Sequence, residues 1–85
     1  MKKSLKKYKA GDFLLCKWMD ACSFDDWTDR EESDTPPCEV HSVGILVVIE
    51  EKYITLALNH DTVNDKLSCA MTIPTGMIKS IKKLR

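Results

Sequence analysis

Cys38 and His41 have the spacing of a zinc ligand pair, and Cys22 or His60 could complete a set. On an extended strand, residues three apart point to opposite faces, and no second paired-ligand knuckle follows. We therefore expect no metal and no cofactor. The acids Asp25, Asp26, Asp29, Glu31, Glu32 and Asp34 invite a calcium reading. A calcium loop needs oxygen ligands at alternate positions, a central glycine and a closing glutamate. This run has Trp27 in its middle, no glycine, and Pro36 where the glutamate would fall, so it reads as a solvated face. His60-Asp61 is the adjacent acid–base pair, and His41-Ser42 sets a histidine beside a hydroxyl. Strand neighbours face opposite ways, so neither is a preformed nucleophile–base couple. Three scattered glycines leave no phosphate-cradling loop. The inventory points away from an enzyme.

The elements that must carry these residues are organised around Cys38 to His60, which reads as two long strands joined at Glu50-Glu51-Lys52. Ile45 to Ile49 is a continuous apolar, mostly β-branched run, and Tyr53 to Leu58 alternates with period two. Before them, Gly11-Asp12 opens a first strand over Phe13 to Asp20. Leu14, Cys16 and Trp18 lie on one face of it; Phe13, Leu15, Lys17 and Met19 lie on the other. The second strand covers 38–50, and Gly44 inside it marks a bend or bulge. A third strand covers Tyr53 to His60 and a fourth Leu67 to Ile73. Pro74-Thr75-Gly76 makes a single 3-10 turn, and the last strand runs from Met77 to Leu84. Cys16 and Cys69, inside strand-like runs, are expected to serve as small buried hydrophobes.

Residues 21–37 change character. Ser23 with Asp26 has the form of a capping box, so 21–37 reads as an acidic, helix-bearing insertion between the first two strands. Phe24 and Trp27 are expected to pin it to the rest of the fold. Five strands, the second and third longest, with a tight turn before the fifth, have the order of a small SH3-like or Sm-like barrel. Closure suits so short a chain because it leaves few strand edges exposed. The expected fold class is therefore mainly β, a five-stranded barrel in one domain over 1–85.

With 85 residues, 44% hydrophobic and 31% charged, the chain has the composition of a globular domain. Its basic start is not a secretory signal, because the apolar run from Phe13 ends at Lys17 without a small-residue cleavage site. An intracellular, cytoplasmic protein with reduced thiols is the expectation. The formal net charge is zero, but it is unevenly spread. The basic lead-in, 1–11, carries Lys2, Lys3, Lys6, Lys7 and Lys9, and the end carries Lys79, Lys82, Lys83 and Arg85. Between Asp20 and Glu39 the only basic side chain is Arg30.

Four stretches together resemble a family of small bacterial and phage proteins that has no assigned activity. They are WMDACSFDDW from Trp18, SVGILV from Ser42, YITLALN from Tyr53 and IPTGMIKSI from Ile73. The shared pattern is W-x-D-A-x-S, then S-V-G before an apolar strand, then a closing I-P-x-x-x-I, spanning Gly11 to Leu84. The resemblance implies a small β-barrel. A more distant likeness is to the Sm-like RNA-binding barrels, at Ile73-Pro74-Thr75-Gly76-Met77. There the glycine is kept, but Thr75 follows a proline where those barrels have arginine, and their Asp-Gly signature is missing from the third strand. The first strand also lacks the aromatic stretch of peptide-binding SH3 domains.

Two function classes follow. Both faces of the second strand are apolar from Ile45 to Ile49, and one small interior can take only one of them. Something must cover the other. The first expectation is a non-enzymatic module, bound to a protein partner or to copies of itself through Phe24, Trp27, Ile45, Val47 and Ile49. The second is a nucleic-acid-binding barrel in which Lys6, Lys7, Lys9, Lys79, Lys82 and Lys83 merge into one basic patch. No membrane association is expected.

Overall fold

The computed structural model describes Leu5, 7–21, Trp27, 29–31, Asp34 and 36–85. Among these residues five strands form one antiparallel sheet: β1 (Phe13–Asp20), β2 (Cys38–Ile49), β3 (Tyr53–Asp61), β4 (Lys66–Pro74) and β5 (Ile78–Lys83). Their spatial order is β4-β3-β2-β1-β5. The strands fall where period-two alternation and turn residues put them, and a 3-10 turn at Thr75–Met77 joins β4 to β5.

Alternation sends Leu14, Cys16 and Trp18 of β1 to one face, where they meet Leu46, Ile54, Leu56, Ile73 and Ile78. Leu14, Cys16, Leu46, Ile54 and Ile73 are fully buried there. Leu5 and Tyr8 of the lead-in close over this inner face, and the Tyr8 hydroxyl donates to the Ile81 carbonyl at 3.2 Å. Trp18 fills the core as its apolar body requires, and its indole N–H donates to Ser42 Oγ at 3.0 Å. Burial pushes the Cys16 thiol up to about 11, which keeps it protonated and inert.

Gly11, at φ +99°, turns the chain into β1, and its N–H donates to the Leu46 carbonyl at 2.8 Å. The Leu46 N–H donates in turn to Asp12 O at 2.8 Å. Asp12 is buried at this corner; its carboxylate accepts from the Lys9 N–H at 3.0 Å and lies 3.5 Å from Lys83 Nζ. The Lys9 N–H, and then the Lys83 charge, hold its carboxyl below the usual range.

The sheet is open, which corrects the expected closed barrel: β4 and β5 are its two edges and do not pair with each other. The reason lies in how β2 divides its partners. Its residues 38–45 pair with β1, and only Ile45 to Ile49 pair with β3. Beyond Ala57, β3 has β4 as its ladder partner, so the two strands leave the sheet as a ribbon instead of wrapping round to β5.

The helix expected in 21–37 is not found among the described residues. Arg30 and Glu31 form a turn, with the Asp34 N–H donating to the Glu31 carbonyl at 3.3 Å. The capping box at Ser23 and Asp26, together with Phe24, lies outside the described residues. Trp27 is fully exposed and does not pin this segment to the sheet. Cys69, expected inside, is exposed on edge strand β4 with φ of 55°. Among the described residues no helix is long and apolar enough to cross a membrane.

Candidate interaction surface

The opposite, outer face of the sheet is where the spare apolar side chains gather. The β1–β2 register places Phe13 beside Ile45 and Leu15 beside Val43, all pointing away from the core. Leu84 comes alongside Phe13, its N–H donating to the Phe13 carbonyl at 2.6 Å. Phe13, Val43 and Leu84 are 46%, 59% and 48% exposed, while Leu15 and Ile45 are half-buried. Ile45 also pairs with Ala57, so the apolar row runs on into β3. Lys82, opposite Leu15 on β5, and Lys17 with His41, one pair further along, rim it.

Of the residues expected at an interface, Ile45 belongs to this face. Val47 sits at a register shift between Leu46 and Val48. That shift inserts one residue and changes the phase of alternation, so Ile49 pairs with buried Ile54 and packs against the core instead. Trp27 stands clear of the sheet, and Phe24 lies outside the described residues. Val43 and Leu84 were not singled out from the sequence. Pairing register alone brings them beside Leu15 and Phe13, although the alternation of β1 had already assigned those two to this face.

The basic residues divide between the two faces. Lys83 lies level with core residue Leu14 and, with Lys9, surrounds Asp12; Lys82 is on the outer face. The Lys7 ammonium lies 5.4 Å from the centroid of the Tyr8 ring, and Lys6 is outside the described residues. At the other end of β5, Lys79 Nζ reaches Glu39 Oε1 at 2.6 Å, and His41 Nε2 lies 2.7 Å from Glu39 Oε2. The hydrogen bond from Lys79, and next that from His41, take the Glu39 carboxyl from an ordinary 4.5 down to about 2.

A depressed folded-state value means that Glu39 contributes stability above its unfolded pKa. That contribution is lost as pH falls from about 4.5 through about 2. Thermal melts between pH 5 and 2 should therefore decline less steeply in Glu39→Gln than in the natural chain. Parallel curves would show that the Lys79–Glu39–His41 cluster contributes nothing.

The remaining acid–base residues sit at the ribbon's tip. Asp61 accepts from the Asn64 side chain and from the Val63 and Asn64 N–H groups, which holds its carboxyl low. His60 therefore pairs not with its neighbour but with Asp65, at 3.0 Å. The two line an open groove of about 480 Å³ with Gly11, Ile45, Val48 and Leu67. Cys38 and His41 do not assemble a ligand set: among the described residues no three His, Cys, Asp or Glu side chains gather as a metal site. No protein-family model, curated protein or solved structure matches this chain.

Proposed function

We propose that this protein is a non-enzymatic interaction module that binds a protein partner or a further copy of itself through the outer face of β1, β2 and β5. One observation carries the reading: Leu84, just past the end of β5, Phe13 of β1 and Ile45 of β2 form an apolar row, with Leu15 and Val43 beside it. Five contiguous apolar side chains with lysines and a histidine around them have the make-up of an interface core and its polar rim. The inner face is already filled by the core and the lead-in. The outer row is thus an apolar surface that a contact can remove from water.

The experiment is a pull-down and light-scattering comparison of the natural chain with Val43→Lys, in low and high salt. A lysine at this exposed position should leave the melting temperature nearly unchanged and abolish partner capture or mass gain through this face. Unchanged binding by Val43→Lys would overturn the reading. A second reading, nucleic-acid binding, is favoured by the way the sheet draws the basic ends together. Tyr8 bonds to Ile81, Phe13 to Arg85, and Lys9 and Lys83 share Asp12. It requires mass gain with a short mixed-sequence single-stranded RNA that disappears at high salt. The division of the lysines between two faces supports the protein reading instead.

A further inference from the structure

We infer that β4 is a two-fold pairing edge, on which a second copy of this chain lays its own β4 antiparallel, centred on Ala70. This surface is separate from the outer row and does not depend on it.

An open edge accepts a copy of itself only where its sequence, read backwards, offers suitable partners. Antiparallel self-pairing sets residues equally far on either side of the centre opposite one another, on the same face. From Leu67 to Ile73, β4 reads Leu-Ser-Cys-Ala-Met-Thr-Ile. Centred on Ala70, this sets Leu67 opposite Ile73, Ser68 opposite Thr72, Cys69 opposite Met71, and Ala70 opposite itself. Each apolar residue meets an apolar one and each hydroxyl meets a hydroxyl. The β3 register fixes the faces: Met71 and Ile73 lie beside Leu56 and Ile54 of the core, whereas Ser68, Ala70 and Thr72 lie beside Asn59, Ala57 and Thr55. The hydroxyl face is already patterned this way within the chain, since Thr72 bonds Thr55 at 2.8 Å and Ser68 bonds Asn59 at 2.9 Å.

The charges select this edge over the other. Lys79, Lys82 and Lys83 occupy half of β5. A two-fold at Ile81 sets Lys79 against Lys83, and one between Ser80 and Ile81 sets Lys79 against Lys82. Like charges facing each other across a ladder disfavour the pairing, and edge lysines are a common guard against it. In β4 the one charge, Lys66, falls at the end, opposite Pro74. Self-pairing also gives the ribbon what it lacks. Leu58 and Leu67 are 63% and 43% exposed, in a two-stranded segment that has little stability without further strands. Cys69, at φ 55°, interrupts the single chain's edge, and the added strand would favour its extended conformation.

Because Ala70 alone faces itself, a charge swap tests the geometry. Sedimentation velocity over a concentration series is run on the natural chain, on Ala70→Asp, on Ala70→Lys and on an equimolar mixture of the two, with circular dichroism checking the fold. The natural chain should dimerise. Each variant should associate at least about tenfold more weakly, and the mixture should recover the dimer. Variants that dimerise like the natural chain, or a mixture that stays monomeric, overturn the pairing. A natural chain that is monomeric throughout also overturns it, while leaving the outer face free to bind a different protein. Should either variant fail to fold, amide exchange on the natural chain decides. Protection of β4 amides must rise with concentration, and unchanged protection overturns the pairing.

Discussion

Gly44→Val is expected to destabilise the domain by about 3 kcal/mol, near the upper end of what overpacking costs. A Cβ at this position would lie 3.0 Å from the Ala57 carbonyl oxygen and 3.2 Å from Leu56 Cβ. The first of these is backbone and cannot rotate aside. It is also fixed on both sides, because Ala57 pairs with Ile45 of β2 and Ala70 of β4. Making room means moving β3 away from β2 at the point where the ladder changes partner. Urea denaturation measures the loss directly, with Gly76→Ala as the control, since a Cβ at Gly76 meets open space. A Gly44→Val chain within about 0.5 kcal/mol of the natural one, the ordinary range of surface changes, would show that β3 does not approach β2 this closely.

Leu46→Ala should cost a similar amount, about 3 kcal/mol, for the opposite reason: it leaves a void. Leu46 is fully buried and sits where β2 faces Leu56 on one side, while its backbone bonds Gly11 and Asp12 on the other. These pairings hold the surrounding backbone in place, so the site cannot collapse to fill the space. For a domain of this size the loss corresponds to a fall in melting temperature of roughly 15 °C. Val43→Ala, on the outer face, removes a similar apolar side chain and should shift it by only a few degrees. Equal shifts for the two would mean that the inner and outer faces have been interchanged.

Those two faces show how much could be read from the sequence. Each strand announces itself through local properties that need no partner: alternation in Phe13–Asp20, β-branched residues in Cys38–Ile49, and turn residues at Glu50, Glu51 and Lys52. The core side of β1 follows from the same logic, but the bulge expected at Gly44 lies instead between Leu46 and Val48, and pairing with β1 runs unbroken through Gly44. The side taken by Ile49 did not follow, because one inserted residue between Leu46 and Val48 reverses every assignment after it, and a run of five apolar residues carries no mark of the reversal. Cys69 was expected inside because strand cysteines commonly are. Its exposure follows from its place on the ribbon beyond Ala57, where β4 has left the core, although Ile73 of the same strand is fully buried.

The candidate surface divides in the same way. The alternation of β1 set Phe13 and Leu15 on the face opposite the core, which Lys17 marked as the wetter one, and the basic ends were plain in the composition. The joining of Phe13 and Leu15 to Val43 and Leu84 depends on register between segments about thirty and seventy residues apart, which long-range pairing supplies. The pattern of β4 lies in the sequence but has meaning only once β4 is known to be an edge.

By itself, then, the sequence determined to within a residue where the strands begin and end, which β1 side chains enter the core, and that apolar residues exceed what one interior can hold. These are consequences of period-two geometry and turn chemistry acting over a few residues. Only the tertiary structure decided that the sheet stays open, that Ile49 turns inward, that the lysines part to two faces, and that β4 and β5 are left as edges. Each of these depends on which strand lies beside which and in what register, and that is set by the packing of the whole sheet around Leu14, Leu46, Ile54 and Ile73.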